Sequence, residues 1–254
     1  MRLYRGLGHT ELVGDLLVEH ALCDHAQNAE LLRREFGDAL GENVACALER
    51  GGGVRDIEVR LFALPDGRPL IAVHVLVDTG DAMGANLVNS ICEAIGPDVA
   101  AACEGNVALR ILSNLADRSL FTARVRYDLA DNVRDAIITA NDIALVDPYR
   151  AATHNKGVMN GVDAVAIATG NDWRAIEAGA HAYAAMSGRY RSLTRWSAAD
   201  NGDLLGEITL PLKVATVGGT LKSKPGAALG LAMTGANSAI ELAELMAAVG
   251  LAQN

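Results

Sequence analysis

The sequence predicts an α+β fold in which a small strand-rich block precedes a mainly helical region. Three observations predict it. Gly51-Gly52-Gly53 breaks the chain. Two β-branched runs, Ile57–Leu64 and Leu70–Val77, then flank Pro65-Asp66-Gly67-Arg68-Pro69, which is hairpin turn chemistry. From Asp131 onward, apolar residues recur mostly at helical spacing.

Taken in order, Glu11–Leu22 and Asn28–Leu40 carry apolar residues at helical spacing, so residues 1–50 read as a helical N-terminal segment. After the hairpin, Ala82–Cys103 reads as a long helix with Asp81 at its start. Strand candidates Val107–Leu112 and Leu120–Tyr127, separated by Ser113–Ser119, complete a small α+β unit over residues 51–130. The remainder, 131–254, holds predicted helices at Asn132–Val146, Pro148–Met159, Trp173–Met186 and Ala236–Leu251. One strand candidate, Leu204–Leu210, lies in the interruption Arg189–Val217.

Composition narrows the function. Hydrophobic residues are 50% and charged residues 21% of 254, a globular balance able to build a sizeable core. The net charge of −9, with no Lys/Arg run, repels a polyphosphate backbone and excludes nucleic acid as an expected partner. Cys23, Cys46, Cys92 and Cys103 show no CxxC pairing, so reduced thiols in a cytoplasmic protein are expected. No signal peptide opens the chain, and the longest apolar runs, such as Leu70–Val77, fall far short of a membrane span.

The dinucleotide fingerprint G-x-G-x-x-G is absent: Gly6-Leu7-Gly8 is followed by Glu11 and no strand precedes it. Thr216–Lys224 is glycine-rich and basic without Walker spacing, and reads as a tight turn. The better phosphate-binding candidate is Asp78–Asn86, where a strand gives way to a helix whose free N–H groups and dipole suit an anion. An ordinary capped helix explains the same residues. Arg150, Thr153, His154, Asn155, Lys156 and Asn160 form a second, dense polar cluster. Arg150, Thr153 and His154 share one helical face, and Lys156 and Asn160 another. Asp172 follows Gly170-Asn171 as an N-cap or a buried acid. A cation beside a carboxylate is what carbonyl reduction requires; a solvated face plus a routine cap is the bland reading. His20, Cys23, Asp24 and His25 are metal-capable by residue type only, and no metal is expected. His181 reads as a packed or capping histidine, and Trp173 and Trp196 as core or interface residues.

In series, Asp81–Asn86 (DAMGAN), Arg110–Asn114 (RILSN), Asp147–Asn160 (DPYRAATHNKGVMN), Thr169–Ala182 (TGNDWRAIEAGAHA) and Val249–Asn254 (VGLAQN) resemble the signature segments of bacterial-type, class II hydroxymethylglutaryl-CoA reductases. The resemblance covers roughly residues 51–254. It implies a small non-Rossmann α+β dinucleotide-binding domain and a mainly helical, truncated substrate-binding domain. It also implies interconversion of hydroxymethylglutaryl-CoA with mevalonate and CoA, using two nicotinamide hydrides from NAD or NADP. Lys156 matches the lysine that stabilises the oxyanion, and Asp172 the aspartate that hydrogen-bonds it. Asp81, Met83, Gly84, Ala85, Asn86 and Asn114 match cofactor-binding positions. Arg150, Thr153, Asn160 and Asn254 match substrate-side positions. Sites built between subunits imply a homodimer or higher homo-oligomer. The family's glutamate segment, Glu-Asn-Val-Ile-Gly, is echoed only by Glu42-Asn43-Val44, and its histidine segment lies beyond Asn254, so the chain reads as shortened at both ends. Two readings follow: a reductase, or a non-catalytic homologue that binds dinucleotide or CoA ligand.

Overall fold

The computed structural model describes residues 52–218 and 223–253, and the backbone of residues 11–19. The chain is mixed α and β, and it divides into two compact units between Asn114 and Leu115.

The first unit is one antiparallel sheet with one helix. Its elements are β1 (Glu11–Glu19), β2 (Gly53–Ala63), β3 (Pro69–Asp78), α1 (Ala85–Ala102) and β4 (Asn106–Leu112). The strand order is β2-β3-β1-β4. The hairpin expected from the Pro65–Pro69 turn is present: Ile57 pairs with Val75, and Gly67 takes φ +86° in the turn. Val73, Val75 and Val77 of β3 are fully buried, as are Val88, Ile91, Cys92 and Val99 of α1. α1 packs against β1 and β4.

β1 corrects the expected helix at Glu11–Leu22. In ELVGDLLVE the apolar positions fit either period, and partners far along the chain decide between them. β1 pairs with β3 on one side and β4 on the other, so the sheet has a place for it that a helix could not fill. The helix expected at Asn28–Leu40, and His20, Cys23, Asp24, His25 and Glu42–Val44, lie outside the described residues.

The second unit comprises β5 (Leu120–Tyr127), α2 (Asp131–Val146), α3 (Pro148–Ala168), α4 (Trp173–Ala185), β6 (Thr194–Ala198), β7 (Leu204–Pro211), α5 (Pro225–Thr234) and α6 (Ala239–Ala252). Its sheet runs β5-β7-β6, wholly antiparallel. Alternate β7 residues Leu204, Ile208 and Leu210 join Val158 and Val162 of α3 and Leu242 and Met246 of α6 in one core. In the sequence expectation β5 belongs with the strand-rich block that ends near residue 130. It instead pairs with β7 from Leu120↔Pro211 to Tyr127↔Leu204, which places the division at 114/115. β6 and α5 were not anticipated from the sequence.

α3 begins as its sequence dictates: Asp147 accepts from Tyr149 N and Arg150 N, and Pro148 occupies the first turn. It runs past the expected end at Met159 to Ala168. Gly161 is tolerated inside it because α6 crosses there, with Val249 Cγ1 3.0 Å from where a Cβ would stand. α5 approaches the end of the same helix still more closely: a Cβ on Gly230 would lie 2.0 Å from the Ala168 carbonyl oxygen. Backbone cannot yield as a side-chain tip can. Gly230→Ala is therefore expected to destabilise the protein by about 2 kcal/mol, read as a lowered urea midpoint at unchanged m-value.

Candidate active site

In the first unit the candidate cofactor residues cluster at the β3–α1 junction. Asp78 Oδ1 accepts from Gly80 N at 2.9 Å, and Thr79 Oγ1 donates to the Ala82 carbonyl at 2.7 Å, so the turn is closed by its own groups. The helix begins later than expected. Gly84, not Asp81, is the N-cap, at φ +82°, and α1 starts at Ala85. A Cβ at Gly84 would fall 2.2 Å from Thr79 Cγ2, so both conformation and space demand glycine there. Among the described residues no side chain caps this terminus, so the first-turn N–H groups of an 18-residue helix have no side-chain acceptor there. Asp81 and Asn86 are exposed, and Met83, Gly84 and Ala85 are half-buried. Asn114 is exposed on the segment that follows β4. That segment is tied to α1, because Asn89 Oδ1 accepts from Leu112 N at 2.9 Å. Sequence reasoning missed Asn89, whose contact lies 23 residues away.

In the second unit the polar cluster of α3 separates into two groups. Thr153, Lys156 and Asn160, at i, i+3 and i+7, form one exposed stripe. His154 and Asn155 point the other way and are 5% and 0% exposed. Asn155 donates from Nδ2 to Arg191 O at 2.9 Å and accepts at Oδ1 from Leu193 N at 2.9 Å. His154 Nε2 lies 2.7 Å from Thr194 Oγ1. Asn141 of α2 completes this lattice, with Nδ2 bonds to Ser192 and Thr194 and an Oδ1 bond from Trp196 N. The shared face proposed for Thr153 and His154 thus divides between solvent and core, and two of the six residues, His154 and Asn155, are structural. Burial, with the Arg150 charge nearby, holds the His154 imidazole down at a pKa of about 4, so it is neutral at physiological pH.

Arg150 lies six residues before Lys156, about 9 Å along the helix axis, and lines a cavity of about 340 Å³. Tyr127, Trp196, Leu204 and Leu251 also line it. Asn254 lies outside the described residues, two positions beyond the end of α6.

Asp172 resolves the alternative left open by the sequence. It is the N-cap of α4, accepting from Ala175 N at 3.2 Å, and its side chain is 42% exposed rather than buried. Arg174 Nε lies 3.9 Å from it. α3 and α4 pack together, yet among the described residues no ion pair joins Lys156 to Asp172. His181 Nδ1 lies 2.8 Å from the Tyr190 hydroxyl, a packed role. Trp196 is buried and stacks on Tyr127 at 6.4 Å, whereas Trp173 is 39% exposed. No set of three metal-capable side chains converges among the described residues.

This geometry can be set beside known proteins. The sequence pattern of hydroxymethylglutaryl-coenzyme A reductase matches residues 14–254. The chain belongs to that family. The match begins before residue 51 and takes in residues 14–19 of β1. A 3-hydroxy-3-methylglutaryl-coenzyme A reductase of Archaeoglobus fulgidus is 44% identical over 249 residues, covering 96% of this chain and 57% of that protein. A probable reductase of Borreliella burgdorferi is 37% identical, covering 81% of this chain and 49% of that one. The chain therefore spans about half the length of the relatives it matches. Among solved structures, a Streptococcus pneumoniae reductase superposes with a TM-score of 0.92 at 37% identity, over 99% of this chain and 61% of its own. The class II enzyme of that organism bound to NADPH in open conformations gives 0.90 at 38% identity, over 96% and 69%. No helix among the described residues is long and apolar enough to cross a membrane.

Proposed function

We propose that this chain carries the dinucleotide-binding and carbonyl-reducing parts of a hydroxymethylglutaryl-CoA reductase, interconverting hydroxymethylglutaryl-CoA with mevalonate and CoA at the expense of two NAD(P)H. One observation carries the reading. Thr153, Lys156 and Asn160 stand as an exposed polar stripe on a helix whose opposite face is built into the core, and α4, which packs on that helix, opens with the half-exposed Asp172.

The β3–α1 junction fits a dinucleotide. Gly84 holds the turn at its positive φ, and the first-turn N–H groups of α1, to which it offers no side-chain acceptor, suit a pyrophosphate. Asp81, Met83, Gly84, Ala85 and Asn86 would hold it, with Asn114 supplying a further contact. The nicotinamide, when bound, supplies the hydrides. In this reading the first unit is the small non-Rossmann dinucleotide domain, and the second the helical substrate domain. The protein's own groups do the rest. The Lys156 ammonium stabilises the negative charge that develops on the thioester oxygen as the carbonyl carbon takes up hydride, and Asp172 maintains that ammonium in place. Arg150, Thr153, Asn160 and Asn254 bind the acyl end of the substrate, Arg150 by pairing its guanidinium with a carboxylate. Leu229 and Met233, 63% and 80% exposed on the apolar helix α5, support a homo-oligomer that covers them. The buried thiols of Cys92 and Cys103 agree with a cytoplasmic setting.

The test is NADPH and NADH oxidation by the purified protein with hydroxymethylglutaryl-CoA, run beside calorimetric titration of each dinucleotide. Substrate-dependent oxidation is expected. Dinucleotide binding without turnover would favour the non-catalytic homologue, and absence of both would reject the proposal.

A further inference from the structure

The Asp172 side chain is held by little, a cap bond of 3.2 Å from Ala175 N and an Arg174 contact of 3.9 Å, while its carbonyl accepts from Ile176 N at 3.1 Å. The residue before it is the opposite case. Asn171 is 7% exposed, and both polar atoms of its side chain are engaged. Oδ1 accepts from Ala215 N at 2.7 Å, while Nδ2 donates to Ala215 O at 3.2 Å and to Thr169 Oγ1 at 3.0 Å. Two opposed bonds to one residue's N–H and C=O imitate a strand partner, at a sequence distance of 44. Ala215 lies just beyond β7, the central strand of its sheet, so the anchor is fixed to a constrained part of the fold.

The main chain of Asn171 is equally committed. Gly170, at φ +69°, ends α3 in a left-handed residue, Gly170 N donates to Ile167 O at 3.1 Å, and Asn171 N donates to Ala166 O at 2.8 Å. That is a Schellman closure. Trp173 N then donates to Asn171 O at 3.1 Å as α4 begins. Consecutive Cα atoms stand ~3.8 Å apart, so a fixed Asn171 leaves the Asp172 backbone little freedom.

We propose that Asn171 is a positioning residue for Asp172: its side chain fastens the α3–α4 corner to Ala215 and so sets where the acid projects. The proposal rests on the reading of Asp172 as part of the reducing site. It assigns Asn171 no contact with substrate or cofactor.

The experiment uses Asn171→Ala and Asn171→Asp in the whole chain, with three readouts: amide hydrogen exchange at Ala175 and Ala215, melting temperature, and kcat against KM for NADPH oxidation. In Asn171→Ala, exchange at both amides is expected to quicken about tenfold or more. Turnover kcat is expected to fall about 10- to 100-fold, with KM moving less than about threefold. Asn171→Asp keeps the acceptor for Ala215 N and is expected to recover part of both. If Ala215 loosens while Ala175 exchange and kcat stay at wild-type values, Asn171 only holds the strand end and the proposal is overturned. A kcat loss that merely tracks the folded fraction overturns it too. If the wild-type chain shows no turnover, the functional reading fails, whereas Ala175 exchange still decides the positioning. Should Asn171→Ala not fold, Asn171→Asp and Thr169→Val, which removes the 3.0 Å support together with the hydroxyl's own bonds to Val165 O and Ala166 O, answer the same question through Ala175.

Discussion

Replacing Lys156 with methionine is expected to remove hydroxymethylglutaryl-CoA reduction by about a thousandfold or more while leaving fold and dinucleotide affinity intact. The size follows from the task given to the ammonium. Loss of one preorganised donor to a developing oxyanion costs about 10²–10³ in kcat, and here a full charge is lost with it. The selectivity follows from its place. Lys156 is exposed on α3, makes no ion pair among the described residues, and the neighbouring core positions Asn155, Val158 and Met159 are untouched by the change. Steady-state kinetics, a melting curve and a dinucleotide titration together check it. A Lys156→Met protein that keeps more than a tenth of its turnover would sink the assignment.

The second large effect is on stability, and it has two opposed parts. His154 has its pKa lowered from 6.5 to about 4 by burial, so the unfolded chain binds its proton first. Its contribution is present above pH 6.5 and is lost as pH falls toward 4, for about 3 kcal/mol in all. Asp163 of α3 behaves in the reverse sense. Burial and the carboxyl of Glu177 on α4 raise its pKa from 3.8 to about 7, so the folded protein keeps a proton that the unfolded chain releases. Asp163 Oδ1 is buried, and among the described groups no donor reaches it. This contribution is complete below pH 3.8 and is lost as pH rises through 7. It is worth about 2 kcal/mol once solvent screening of the partly exposed pair is allowed for. Between pH 4 and 6.5 the two slopes oppose one another. Asp163→Asn, a mimic of the protonated acid, is expected to match wild type near pH 4 and exceed it by about 2 kcal/mol at pH 8. Urea unfolding across that range measures the difference, and a flat or inverted difference curve rules the mechanism out.

What was legible in the sequence was whatever short-range periodicity and cap chemistry determine. The shared face of Lys156 and Asn160 follows from helical spacing, which put Thr153 with His154 instead, and the β2–β3 hairpin follows from five turn residues between two β-branched runs. Asp172 was recognisable as an N-cap, although burial of the acid could not be excluded without knowing what packs over it. The misses have distant partners in common. Asn171 looks like a routine loop residue until Ala215 is known to lie against it, and Asn155 looks like part of a reactive surface until Leu193 takes its oxygen. β5 was assigned to the wrong block because its mate, β7, follows it across three helices. The late start of α1 has a local cause instead: Asp81 is a good cap by type, but Thr79 closes the turn and passes that role to Gly84.

The position of β1 constrains how this unit can be assembled. β1 lies between β3 and β4, and these two pair with it and not with each other. Until it inserts, each presents a row of unsatisfied main-chain donors and acceptors beside a hydrophobic face, a template for another molecule's strand. The β2–β3 hairpin, built from neighbours in sequence, can close early, whereas the sheet waits on a strand encoded well before it in the chain. A polypeptide begun at Gly51 would keep every cofactor residue named above and still be expected to form intermolecular sheets.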